Sequence, residues 1–260
     1  MSTALFARYA YPPNELGYCG PPDASVLLQP GAQDRVRQHA EGFAGAWPYL
    51  QEIGAACRLS PLDSEVVRSY WVGGPLLDRV DGRQLVGRIR CAMAGQPTGL
   101  LDVLPGHEHA LAHHSFHVMV VYPWIRFLQT GPGTPLQILQ ACRIRWGVVS
   151  SVDSEHAVIE SQPLRFDGQS LTLGPTRPET VRWRRAGTSL SPRPRTGEIV
   201  SAHWDWVCEP LSVTQCSALE AATRSTLTLA NRLSAPQRGA APAVSPACRG
   251  GSAGCDRLRR

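Results

Sequence analysis

Apolar positions return every three or four residues through QDRVRQHAEGFAGAW, DSEVVRSYW and RQLVGRIRCAMAG. Gly and Pro separate these segments, and the period predicts a helical region from about Ala32 to Leu139. From Cys142 the period shortens to two. The runs CRIRWGVVSSV, HAVIESQPLRF, SLTLG, TVRWRR and EIVSAHWDWV are parted by turn pairs such as Asp167-Gly168 and Gly174-Pro175. Five such strands in under 70 residues predict a small antiparallel β-barrel. Helical spacing resumes in SVTQCSALEAATRSTLTLANRL, where Leu219, Ala222, Leu227 and Leu229 are placed to pack back on the barrel.

Two stretches fall outside these periods. Tyr11–Asp23 is dense in Pro and Gly and reads as a loop, because proline fixes φ and removes a backbone donor. From Ser234 onward the composition becomes that of a disordered, basic tail. The expected fold class is therefore α+β, with a helical domain over 1–141, a barrel and helix over 142–233 and the tail over 234–260.

Charge narrows the chemistry. The 260 residues carry 26 basic side chains, every one of them arginine, against 21 acidic ones, for a net +5. Without lysine, Schiff-base catalysis, a pyridoxal-phosphate lysine and a phosphate loop of the GxxxxGK[ST] type are excluded. The tail holds five Arg and one Asp, or +4, which leaves the other residues close to neutral. Eight cysteines are scattered with no CxxC pair, and there is no run of about 18 apolar residues to span a bilayer. These features lead to the expectation of a cytoplasmic protein without membrane partners.

The densest chemical signal is PGHEHALAHHSFHVMVVYPW, which holds five of the eight histidines, at 107, 109, 113, 114 and 117. On one helix His109, His113 and His117 would share a face, with His114 three residues from His117, an arrangement suited to Ni or Zn. Histidines that instead bond backbone or carboxylate groups at helix contacts are the competing interpretation. HExxH is absent, since Leu111 stands where its second histidine belongs.

The last strand, Glu198–Cys208, alternates Val200, Ala202, Trp204 and Trp206 against Ser201, His203 and Asp205. Read as one strand, it lets the Asp205 carboxylate orient or shield the His203 imidazole. Cys142 stands at the entrance of the first strand, which in a small closed barrel can lie beside the last. A thiolate and an imidazole would then suit a late first-row metal.

Two of these motifs carry a resemblance. Cys142, Gly147 and Val149, spaced C-x4-G-x-V, together with Gly197-Glu198-Ile199-Val200-Ser201-Ala202-His203, resemble the HypC/HupF family of small β-barrel chaperones in [NiFe]-hydrogenase maturation. The order of cysteine strand, barrel, histidine strand and terminal helix also agrees, over roughly residues 142–231. The resemblance implies an OB/HypC-like barrel and a role in metallocentre assembly, acting through Cys142 and His203. Its implied cargo is iron as the Fe(CN)2CO fragment, and its implied partners are the hydrogenase large-subunit precursor and other maturation proteins. Gly147 would keep the backbone beside the cysteine free of a side chain. Here the cysteine is internal and Trp146 precedes the glycine, so the family's N-terminal amine has no counterpart.

FARYAYPPN, GYCGP, CRIRWG and HWDWVC are also similar to an uncharacterised bacterial family loosely associated with hydrogenase gene clusters. Two further readings compete with this one. A metal-dependent enzyme would use the His107–His117 helix together with His203 and Asp205. A nucleic-acid-binding barrel would use Arg177, Arg182, Arg184, Arg185, Arg193 and Arg195, and is disfavoured because only Trp183 interleaves with them.

Overall fold

The computed structural model describes residues 3–29 and 31–235. Residues 236–260, most of the expected tail, lie outside the described residues. Among the described residues, eight α-helices and nine strands make a mixed α+β structure. The helices are α1 (Thr3–Glu15), α2 (Gln33–Glu41), α3 (Trp47–Cys57), α4 (Ser64–Trp71), α5 (Gly82–Ala92), the single turn α6 (His114–Phe116), α7 (Gly133–Cys142) and α8 (Val213–Ser234). The strands are β1 (Arg145–Val152), β2 (His156–Ser161), β3 (Leu164–Phe166), β4 (Leu171–Leu173), β5 (Arg177–Arg182), β6 (Arg184–Arg185), β7 (Thr188–Ser189), β8 (Ile199–His203) and β9 (Trp206–Pro210).

Helix starts follow local chemistry. Asp63 caps α4 by accepting from the Glu65 N–H, and Asp81 caps α5 through the N–H groups of Arg83 and Gln84. Ser212 and Gln215 form a reciprocal capping box that starts α8.

Five strands pair in the order β1-β2-β5-β9-β8, and β8 returns to β1, so the pairing closes on itself. The closing link is one parallel pair, Arg182 with Trp206; the other ladders are antiparallel. Val149, Ala157, Ile159, Val181, Val200, Ala202 and Val207 fill the space inside. A second, larger core joins the helical region to the outer side of this sheet, running from Phe6 and Tyr49 through Phe116 to Trp206 and Leu229. Strand β8 is buried on both faces: Val200 and Ala202 face the sheet's interior, while Ser201 and His203 face α1.

Two expectations need correcting. Residues 11–15 continue α1 rather than forming a loop, and Pro12 and Pro13 sit in its last turn. Proline there forfeits helix hydrogen bonds, yet burial of Tyr9, Ala10 and Tyr11 keeps the turn in place. The run from Glu198 to Cys208 is a hairpin, in which Trp204 and Asp205 turn β8 into β9 and Trp204 takes a left-handed φ of 53°. The strict alternation therefore ends at His203.

Candidate metal centre

The histidine-rich segment is broken into pieces rather than being one helix. His107–His109 is a 3-10 turn, Ala110 and His113 are extended, His114–Phe116 is a single α turn and His117–Val121 is a π turn closed by Tyr122 N–H to the His117 carbonyl. The shared face of His109, His113 and His117 is lost with the continuous helix. His109 is exposed, and His113 caps the α6 turn by accepting from the Ser115 N–H at 3.0 Å. His114 and His117 turn into a buried cavity.

That cavity has about 30 Å³ of open space, room for one or two water-sized groups. His114, His117, Cys142, His203, Cys19, Tyr70 and Trp71 are among the side chains lining it. One donor atom each from His114, Cys142 and His203 lies within 4.8 Å of the other two. Bonds of about 2.0–2.3 Å to a tetrahedral ion would bring such donors to roughly 3.3–3.8 Å, a contraction of about 1 Å.

Cys142 and His203 meet because a buried arginine ties their elements together. Cys142 is the last residue of α7, not part of β1. Arg145, at the start of β1, donates to the Gln140 and Ala141 carbonyls of α7 at 3.2 and 3.0 Å and to the Trp204 carbonyl of the hairpin turn. The Trp204 N–H in turn donates to Ala141 O at 2.8 Å, and Glu179 neutralises Arg145 in a 2.8 Å ion pair. The arginine thus satisfies orphan carbonyls at the helix end while fixing the hairpin beside it.

His203 is held by a consequence of Pro13. An N–H at position 13 would normally donate to the carbonyl of residue 9; proline has none, and the Tyr9 carbonyl instead accepts from His203 Nδ1–H at 2.7 Å. A carbonyl cannot donate, so the proton sits on Nδ1. Burial pushes the imidazole pKa down to about 3, and Nε2 is left as a buried lone pair that accepts no hydrogen bond among the described residues. The Tyr9 hydroxyl braces the same strand through Ser201 and the neighbouring β9 through Glu209, each at 2.9 Å.

His114 is short of a proton as well. Tyr70 Oη stands 2.5 Å from the Gly45 carbonyl and 3.0 Å from His114 Nδ1, while His114 Nε2 stands 2.9 Å from the Cys142 carbonyl. These are three contacts. Burial holds the imidazole pKa well below its usual value, so a neutral ring and the phenol supply only two protons. A cation on Nε2 would satisfy the Tyr70 side of the ring, since Nδ1–H could then donate to Tyr70 and Tyr70 to Gly45, while the Cys142 carbonyl gives up its ring donor. That is the outer-shell pattern of a metal-bound histidine.

Other groups are tuned by the same dryness. Burial lowers His117 to about 4 and raises the Cys142 thiol far above its usual value. The Tyr49 hydroxyl stands 3.3 Å from His117 Nδ1. His117 lines the cavity but does not belong to the three-donor group.

Asp205 does not orient His203. It lies in the hairpin turn and pairs with Arg182 at 2.6 Å. Gly147 serves the sheet rather than the cysteine: a Cβ there would come within 2.7 Å of the Glu160 carbonyl on β2. Of the arginine edge, Arg182 and Arg185 are paired with Asp205 and Glu15, and Arg193 lies over Trp183.

Sequence reasoning named Cys142 and His203 but did not place His114, Tyr70, Arg145 or Cys19 in the site. His114 was visible only as one histidine among five. The Arg145 role had no sequence signal that sets it apart from Arg143, the other arginine of CRIRWG.

The fold and cavity together define an α+β protein with a buried soft-donor cluster. The chain belongs to a family of unknown function, DUF6390, whose sequence model matches residues 1–237. Comparison with curated proteins and with solved structures gave no match.

Proposed function

We propose that this protein is an accessory factor of metallocentre assembly, holding a late first-row metal ion as cargo between His114, Cys142 and His203. The observation that carries this reading is the convergence of the three donors on one dry cavity, with a His203 Nε2 that has no partner among the described residues. A thiolate with two imidazoles is a donor set for Fe, Zn, Ni or Cu rather than for Mg or Ca. The resemblance of residues 142–231 to the HypC/HupF barrel supplies the destination, which is iron delivery to a [NiFe]-hydrogenase large-subunit precursor.

In this reading Cys142 is the anionic ligand and the two histidines are neutral ones. Tyr9 and Tyr70 orient those histidines, and Arg145 holds α7 against the β8-β9 turn. His117 is a wall of the cavity. The expected OB/HypC-like character of the closed sheet belongs to the same proposal, as do the iron cargo and the cytoplasmic site of action. No helix is long and apolar enough to cross a membrane among the described residues.

The test is anaerobic purification from cells making a [NiFe] hydrogenase, followed by metal analysis and infrared spectroscopy. The reading expects iron with CO and CN stretching bands, both absent from Cys142→Ala, and impaired hydrogenase maturation in that variant. Metal-free wild-type protein with normal maturation in Cys142→Ala would overturn it.

A further inference from the structure

We infer that Cys19 is a fourth, movable ligand, which closes a Cys2His2 cage when the ion bound by His114, Cys142 and His203 is a bare divalent cation. The inference rests on the metal-binding reading above and concerns a residue that reading does not use.

Cys19 lies in the segment after α1, in GYCGP, and lines the same cavity as the three donors. Its sulfur is not within the compact three-donor group, so reaching an ion requires the segment to shift inward. The backbone permits such a shift. Gly17 and Gly20 flank the cysteine with φ of 73° and 87°, conformations open to glycine at little cost, and Leu16 and Tyr18 are exposed. The segment is nevertheless held in place close to the cavity. Asn14 donates both amide protons to it, to the Cys19 carbonyl at 2.8 Å and the Pro21 carbonyl at 2.7 Å, and Tyr18 rests on Trp204 with centroids 4.3 Å apart.

Burial pushes the Cys19 thiol up to about 11, so the sulfur stays protonated until an ion draws it in. Gly45, which accepts from Tyr70, the partner of His114, lines the same cavity as Cys19.

Charge gives the reason for a second thiolate. No carboxylate among the described residues lines the cavity, and Arg145, the charged side chain that acts on Cys142 and His203, is already paired with Glu179. One thiolate and a divalent ion would leave a net positive charge in a dry pocket, which is costly. Two thiolates make the centre neutral. Each sulfur forms its bond to the ion as its thiol proton leaves to solvent, so two protons are released per ion and nothing is oxidised. A cargo that brings its own anionic ligands needs no second thiolate and leaves Cys19 protonated and unbound.

Anaerobic titration of the full chain with Co(II) tests this, because thiolate-to-Co(II) charge-transfer absorption counts sulfur ligands. Wild-type protein should bind one Co(II) with the intensity of two thiolates. Cys19→Ser and Cys19→Ala should each retain binding with about half that intensity and weaker affinity. Cys142→Ser should lose more affinity than either. Wild-type intensity and affinity in both Cys19 variants, with loss in Cys142→Ser, would overturn the role of Cys19 alone. Wild-type protein with no thiolate absorption would overturn the underlying metal-binding reading as well.

Discussion

Tyr70→Phe separates the ordinary stability of the cavity from its readiness for an ion. The aromatic ring stays, so packing is retained, and only the hydroxyl between Gly45 O and His114 Nδ1 is removed. In the metal-free protein three contacts share two protons, so one polar group already lacks its bond. Deleting the hydroxyl raises that deficit from one group to two, at a cost of about 1–3 kcal/mol. With an ion on His114 Nε2 the Tyr70 and Gly45 contacts are both satisfied before the change and two groups are orphaned by it, costing roughly 2–6 kcal/mol. The difference, about 1–3 kcal/mol, is lost binding energy and corresponds to an affinity lower by roughly 5–150-fold. Urea denaturation in the presence of chelator measures the first quantity, and Co(II) or Zn(II) competition against a chelating dye measures the second. An affinity within twofold of wild type, in a variant that is destabilised as expected, would refute the assignment of His114 as a ligand.

Other consequences follow from the same geometry. Burial depresses His113 and His203 to about 3 and His117 to about 4, so the unfolded chain binds more protons between those values and about 6.5. Metal-free stability should therefore fall as pH drops from about 6.5, by up to roughly 1.4 kcal/mol per pH unit for each histidine, and a flat urea midpoint from pH 7 to 5 would contradict it. Gly147→Ala would press a Cβ to 2.7 Å from the Glu160 carbonyl, so chemical denaturation should show a loss of about 1–3 kcal/mol with metal affinity unchanged. Gly45→Ala would meet His117 Nε2 at 2.8 Å, and should both destabilise and weaken metal binding, since Gly45 also anchors Tyr70. Ser212→Ala removes one half of the α8 capping box and should cost about 1 kcal/mol by thermal or urea unfolding, leaving the metal site intact.

The parts of the fold that follow from local periodicity could be read from the sequence. The segments around Val36, Val66 and Leu85 are helical, and SVTQCSALEAATRSTLTLANRL is α8; of the period-two runs after Cys142 most supply the closed sheet, but SLTLG pairs instead with Leu164–Phe166 in a separate two-stranded sheet. What escaped depends on contacts between distant residues. Proline at 12 and 13 argues against a helix until the burial of Tyr9 and Tyr11 is known. The single-helix reading of the histidines assumed one period through Ala110–His113, where the chain is extended and His113 starts a new turn. Asp205 fell on the wrong side because two residues of turn look like strand when only alternation is considered.

The candidate site was half legible for the same reason. Cys142 and His203, 61 positions apart, could be paired only by supposing that first and last strands meet. The observed link is more particular: Arg145 clasps the end of α7 to the Trp204 carbonyl. His114 joins them through its contact with the Cys142 carbonyl, and the role of Pro13 in freeing the Tyr9 carbonyl for His203 has no signature in a one-dimensional pattern.

The central claim, that His114, Cys142 and His203 together hold a metal ion, is tested most directly by X-ray absorption on protein loaded anaerobically with one equivalent of Fe(II) or Zn(II). The account predicts a shell containing both sulfur and imidazole nitrogen, with the sulfur contribution reduced in Cys142→Ser and the imidazole contribution reduced in His203→Ala. A shell of oxygen donors alone, unchanged by either substitution, would contradict it.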